Sequence, residues 1–153
     1  WLRERDSTLR LAIVGERGPL AAPDPEGAVR LDYVSDADLV TLYSGAECLL
    51  FPSAYEGFGL PPLEAMACGC PVVCSRGSSL DEVCGGGAVQ VDGGEWREVA
   101  EAARVLLTDS DTRRERVAAG RAHVARFSWT DAARQTLQVL AEAAGERRSS
   151  PRA

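Results

Sequence analysis

Short apolar runs bounded by turn residues alternate along this chain with longer stretches whose apolar residues recur at helical spacing. Residues 11–15, 29–33, 48–51, 71–74 and 88–91 form the short runs, and their length and bounding turns predict buried parallel strands. Between them, residues 36–46 predict a helix with Ser35 as its N-cap and Asp38 three positions on. A second helix is predicted over 60–67, where Pro61 and Pro62 are tolerable only in the first turn. Val99, Ala102, Ala103 and Leu106 mark one face of a third, and residues 113–126 form a more polar fourth. Ser128-Trp129-Thr130-Asp131 caps a last helix carrying Ala133, Leu137, Leu140 and Ala144 on one side. From Gly145 the chain turns polar and is expected to fray.

Strands alternating with helices predict an α/β domain over residues 1–144, a Rossmann-like doubly wound parallel sheet covered on both faces, followed by a polar tail at 145–153. Neither an internal repeat nor an interdomain linker is visible. In such sheets ligands bind beyond the carboxyl ends of the strands. The loops after Gly15, Tyr33, Phe51 and Cys74 are therefore where a site should lie.

Composition narrows the possible partners. The 153 residues are 45% hydrophobic and 26% charged, with 17 Lys and Arg against 23 Asp and Glu, a net charge of −6. That balance argues against nucleic acid held through phosphate neutralisation. No run reaches the roughly 18 apolar residues that span a bilayer. The opening residues, Trp1-Leu2-Arg3-Glu4-Arg5-Asp6, resemble neither a signal nor a transit peptide and read as the end of a helix. The expectation is a fragment of a longer protein. Five cysteines, an odd number without an export signal, point to reduced thiols in a cytoplasm. Cys68-Gly69-Cys70 with Cys74 invites a zinc reading, but the spacing is not the paired Cys-x2-Cys pattern and the only histidine, His123, is distant. Cys74 lies in an apolar run, where a thiol packs as a small hydrophobe, so no metal is expected.

The loop after Phe51 is unusual. Gly57 and Gly59 allow close backbone approach to a ligand and positive φ. The helix opening at Leu60 presents unpaired N–H groups and a positive dipole end, suited to phosphate. Glu56 precedes that helix and Glu64 lies about one turn inside it. Two carboxylates bracketing an anion site are not there to bind the anion. They are good acceptors for sugar hydroxyls, and a nucleotide sugar places ribose and hexose on either side of a diphosphate.

The run Glu56-Gly-Phe-Gly-Leu-Pro-Pro-Leu-Glu64-Ala-Met-Ala-Cys-Gly-Cys-Pro-Val-Val73 strongly resembles the signature of the retaining group 1 glycosyltransferases of GT-B fold. The likeness extends from about Leu9 to Leu140, through Asp32–Leu39, Ser78–Val83 and Phe127-Ser128-Trp129. It implies that the chain is the C-terminal, donor-binding half of such an enzyme. Glu56 would contact the transferred sugar and organise the reacting centre as the catalytic carboxylate. Gly57, Phe58, Gly59 and Leu60 would line the donor site, the last three offering backbone N–H groups to sugar or diphosphate. Glu64 would bond the ribose hydroxyls, and the backbone near Val34 would meet the base. Family members transfer with retention and need no divalent metal; helix dipole and basic side chains meet the leaving-group charge instead.

Two features depart from the family pattern. Its first strand, with a glycine and a basic pair aimed at the diphosphate, has no counterpart, and the turn at residues 14–19 is one residue longer than the usual Gly-x-Gly-Pro. The acceptor would then be held by a missing N-terminal domain, and the isolated chain is expected to be inactive. Membrane association would come only through that domain. The rival reading is a catalytically inactive nucleotide-sugar-binding module; sugar-nucleotide epimerisation on the same fold is a third.

Several residues carry plainer readings. Asp36-Ala37-Asp38 resembles a metal-binding Asp-x-Asp pair, yet acids at a helix start suit the dipole, and Asp109 likewise reads as a cap. Glu82 reads as structural and His123 as an exposed helical residue. Trp96 and Trp129 sit on helices, where packing is their expected use.

Overall fold

A computed structural model describes residues 2–18 and 22–149. Its elements run α1 (Leu2–Arg5), β1 (Leu11–Val14), β2 (Ala28–Leu31), α2 (Asp36–Gly45), β3 (Leu49–Phe51), α3 (Leu60–Ala67), β4 (Val72–Ser75), α4 (Leu80–Cys84), a 3-10 turn (Gly85–Gly87), β5 (Val89–Val91), α5 (Trp96–Thr108), α6 (Ser110–Val124) and α7 (Trp129–Ser149). Each apolar run of the sequence carries a strand, and every strand pairing is parallel.

The strands do not form one continuous sheet. β1 pairs with β2, and β3, β4 and β5 form a separate sheet in that order. The orders 2-1 and 3-4-5 are the two flanks of a doubly wound sheet. Among the described residues no strand bridges β1 to β3, so each keeps one unpaired edge. One face of the smaller sheet is open to solvent: along β1 the residues alternate between half-buried and exposed, and Val14 and Val29 are 45% and 51% exposed.

β4, between two neighbours, is buried at all four residues. Successive side chains of a strand point to opposite faces, so β4 feeds two cores. Val72 and Cys74 pack with Tyr43 of α2, Leu63 and Met66 of α3, and Leu80, Val83 and Cys84 of α4. Val73 packs on the other face with Val91 and Leu106. Leu106 is held there by the face of α5 that the sequence marks, with Val99 and Ala102 beside it. Each fully buried side chain of this size contributes roughly 1.5–3 kcal/mol. Where α6 crosses α3, Gly120 is buried because a Cβ there would lie 3.0 Å from Met66 Cγ.

Caps form as the sequence indicates. The Ser35 hydroxyl accepts from the Asp38 amide, and Asp109 accepts from the amides of Asp111 and Thr112. Three expectations are corrected. α7 continues to Ser149, beyond the point where fraying was expected; Glu146, Arg147 and Arg148 are strong helix formers and follow an alanine-rich turn at Ala141–Ala144. Its apolar stripe is in solvent, with Trp129, Leu137 and Leu140 at least 60% exposed, and Trp96 on α5 is also exposed, so neither tryptophan packs in a core here. His123 is not an exposed residue. It is half-buried, its Nε2 is paired with the Val83 carbonyl at 2.8 Å, and its ring lies against Phe127. That contact satisfies a carbonyl of the last turn of α4, which the helix itself leaves unpaired. In the turn at residues 14–19, Gly15 has φ +116°, while Pro19 lies outside the described residues.

Candidate functional site

β3 delivers the chain to the carboxyl edge of its sheet at Phe51, and α3 begins at Leu60 after eight intervening residues. The intervening loop contains the paired glycines, and only one adopts the left-handed region. Gly59 has φ +101° and ψ +52° and forms the N-cap of α3, whereas Gly57 has no positive φ. Gly59 is also tightly covered: a Cβ at this position would lie 2.6 Å from Leu80 Cδ2. Leu80, fully buried at the start of α4, therefore forms a floor under the loop.

The start of α3 is chemically sparse. An α-helix leaves its first amides unpaired, but Pro61 and Pro62 occupy the first turn and carry no N–H. The donors left at this end are the amides of Gly59 and Leu60, which concentrates any anion contact on the Gly59–Leu60 peptide. No side chain caps the helix and its first turn holds no acid, so its dipole end is left for an anion from outside.

The two glutamates flank this point differently. Glu56, in the loop, is half-buried, and Glu64, one turn into α3, is exposed. Tyr43 of α2, itself buried, directs its hydroxyl to Glu64 Oε2 at 3.5 Å. Burial, and then the nearby Glu64 charge, push the Tyr43 hydroxyl above its ordinary titration range. It is a neutral donor that can steady one oxygen of Glu64 and leave the other for a ligand. Val34, the remaining sequence-indicated residue, sits half-buried just before the N-cap of α2, in the connection after β2.

On its other side the loop rests on the β4–α4 connection. The Ser79 hydroxyl lies 3.0 Å from the Glu56 carbonyl and 2.8 Å from the Phe58 carbonyl. The Phe58 ring meets Phe127 edge-on, with centroids 6.5 Å apart. Beside the loop a shallow cleft opens over the ends of β3, β4 and β5, lined by residues 52–54, Ser75, Arg76 and residues 92–94. The Ser75 hydroxyl is buried at its base without a hydrogen-bond partner.

The candidate site thus gathers Glu56, Gly57, Phe58, Gly59, Leu60 and Glu64 on one loop and helix start, with Val34 apart from them in sequence, in the connection between β2 and α2. Tyr43, Ser79 and Leu80 were not singled out by the sequence. Tyr43 had a signal: with Leu39 it forms an i, i+4 apolar pair on one face of α2, and a buried tyrosine needs a partner for its hydroxyl. Asp36 and Asp38 stay with the cap, Asp38 accepting from the Ser35 hydroxyl at 2.6 Å. Among the described residues no group of three or more His, Cys, Asp or Glu could hold a metal ion. The cysteines are free thiols, and Cys70, Cys74 and Cys84 are buried. Burial pushes Cys48 and Cys70 up to about 11.

Similarity to known proteins covers this same region. The chain is 43% identical over 115 residues to O-antigen chain mannosyltransferase B of Escherichia coli, a match covering 74% of this chain and 30% of that protein. It is 35% identical over 137 residues to a GDP-mannose-dependent alpha-(1-6)-phosphatidylinositol dimannoside mannosyltransferase of Mycobacterium tuberculosis, covering 86% of this chain and 35% of that one. The chain therefore spans about a third of the length of these relatives. Among solved structures, sucrose-phosphate synthase from Thermosynechococcus elongatus superposes with a TM-score of 0.76 at 25% identity, covering 89% of this chain and 39% of that one. The family model for glycosyl transferases group 1 matches residues 2–123, from α1 through the whole loop and α3 into the last turn of α6. The chain belongs to the group 1 glycosyl transferases.

Proposed function

We propose that this chain supplies the donor site of a glycosyltransferase that moves a sugar, with retention, from a nucleoside diphosphate sugar to an acceptor. One observation carries the reading: a half-buried carboxylate, a left-handed glycine, two free amides at a helix start and a tyrosine-steadied carboxylate follow one another at the carboxyl end of β3. In this order Glu56 takes the transferred sugar, the Gly59–Leu60 amides and the α3 dipole take the diphosphate, and Glu64 takes the ribose. The dipole and the amides would then stabilise charge as it develops on the leaving diphosphate. No metal is assigned a role.

GDP-mannose is the first donor to try, because one relative is named as GDP-mannose-dependent and another as a mannosyltransferase. Relatives named as D-inositol 3-phosphate glycosyltransferases, 38% identical, make other sugar nucleotides the necessary comparison. The acceptor falls to a further domain, in keeping with the third of the relatives' length that this chain spans. A parallel strand joining β1 to β3 would complete a doubly wound order.

Calorimetric titration with GDP-, UDP- and ADP-sugars and the matching diphosphates tests the site. Glu64→Ala should weaken both diphosphate and sugar nucleotide, whereas Glu56→Ala should weaken only the sugar nucleotide. Equal loss of the bare diphosphate in both variants would refute the division of roles. The rival, a donor-binding module without catalysis, predicts the same binding and no transfer in the full-length protein.

A further inference from the structure

Ser79 stands at the N-cap of α4, where a serine hydroxyl ordinarily accepts from the second or third amide of its helix. Here it makes no such bond. It faces the Glu56–Gly59 loop instead, sharing its single proton between the carbonyls of Glu56, at 3.0 Å, and Phe58, at 2.8 Å. A side chain that forgoes its helix to tie two carbonyls of another loop fixes that loop's backbone. These two carbonyls bracket Gly57, which carries no side chain to anchor it.

The platform beneath Ser79 is itself held. Gly77 donates its amide to Asp81 Oδ1 at 2.7 Å, and Gln90 donates to the Leu80 carbonyl at 3.1 Å. Ser78 is the only described non-glycine residue with positive φ, at +57°. That is a sparsely populated conformation that surrounding contacts must enforce. The strained turn is what brings Ser79 and Leu80 together under the loop, hydroxyl to carbonyls and methyl to Gly59.

We infer that Ser79 is a positioning residue for the sugar end of the donor site: it touches no donor but sets the backbone from which the Glu56 side chain is aimed, while Gly59 is held by Leu80 and by its place at the start of α3. This rests on the proposed roles of Glu56 and Glu64. Removing the hydroxyl frees the loop near the sugar while leaving α3 and Glu64 in place. Loss should therefore fall on the sugar nucleotide and not on the bare diphosphate.

The experiment compares Ser79→Ala, Ser79→Thr and Glu56→Ala by calorimetry with GDP-mannose and GDP, alongside amide hydrogen exchange of residues 56–60 without ligand. One net hydrogen bond corresponds to about three- to tenfold in affinity. Ser79→Ala should weaken GDP-mannose by that factor and leave GDP within twofold, and Thr should restore it. In the Glu56→Ala background Ser79→Ala should add nothing. Exchange over 56–60 should quicken in Ser79→Ala and not in Ser79→Thr. Unchanged exchange overturns the clamp whatever the donor. So does equal weakening of GDP and GDP-mannose by Ser79→Ala, which a general loss of fold would give. If Glu56→Ala itself spares GDP-mannose, it is the assignment of Glu56 that fails, and the exchange data then decide the clamp alone.

Discussion

Gly59→Ala should be costly for two separable reasons, and the structure says how large each is. At φ +101° an L-residue meets its own backbone, at about 1–2 kcal/mol. The added Cβ would also lie 2.6 Å from Leu80 Cδ2, well inside van der Waals contact. Leu80 is fully buried among Leu63, Val83 and Cys84, so its methyl cannot swing away without displacing a packed neighbour, and overpacking of this kind costs about 1–3 kcal/mol. Together the two effects destabilise by roughly 2–5 kcal/mol. Gly15→Ala supplies the comparison, since Gly15 has φ +116° but nothing within 4 Å of the added carbon; it should lose only the conformational part, about 1–2 kcal/mol. Leu80→Ala opens a cavity and costs about 2–5 kcal/mol alone. It also removes the overlap, so Gly59→Ala/Leu80→Ala should be less destabilised than the two single variants added, by about 1–3 kcal/mol. Urea unfolding, with the slope checked for constancy, measures all four. The reasoning is refuted if Gly59→Ala costs no more than Gly15→Ala, or if the Gly59–Leu80 pair is additive.

Tyr43→Phe keeps the packing and removes the hydroxyl facing Glu64. A bond at 3.5 Å lies at the weak end of the range, so GDP affinity should fall by about twofold, with stability little changed; calorimetry finding the same fall in a Glu64→Ala background would show that Tyr43 does not act through Glu64. Asp24 accepts from the Arg30 guanidinium and from Arg17, and these partners, Arg30 first, hold its carboxyl down from 3.8 to about 2. Because the folded value is the lower one, the stabilisation is complete above pH 3.8 and disappears as pH falls toward 2. Asp24→Asn should therefore melt below the wild type at neutral pH, and the gap should close across that acid window. A gap in thermal midpoint that stays constant from pH 5 to 2 would rule the ion pair out as its source.

The strands were legible because buried parallel strands announce themselves as apolar runs, and the caps because Ser35 and Asp109 sit where unpaired amides need acceptors. Pairing across sheets was less legible. Nothing in residues 11–14 or 49–51 states which strand lies beside which, and the predicted parallel sheet falls into two parts, β1-β2 and β3-β4-β5, where the family's first strand has no counterpart in this chain. Helical periodicity identified the stripe of α7 correctly as a stripe, but periodicity reports only which residues share a face. Whether that face meets a core depends on what packs there, and here Leu137 and Leu140 meet solvent. His123 failed in the opposite sense. A lone histidine on a polar helix gives no local hint that α4 ends within reach, and the burial comes from the Val83 carbonyl, the glycines of the 3-10 turn and the Phe127 ring.

The same distinction explains which parts of the site could be read. Gly59, Pro61 and Pro62 constrain the backbone through their own chemistry, so a left-handed N-cap and a proline-opened helix are written in the residues that form them. Ser79 is the reverse case. Local rules assign a serine ahead of Leu-Asp-Glu to capping its own helix, and that assignment is wrong because two carbonyls 23 and 21 residues earlier compete for the hydroxyl and win. They win because a loop around a glycine has few other means of satisfying its carbonyls, whereas an amide at the start of α4 has an alternative: that of Glu82 donates to the Ser79 carbonyl at 3.2 Å. The geometry of this loop is thus recorded twice, once in glycines and prolines that a reader of the sequence can find, and once in a serine whose partner only the fold supplies.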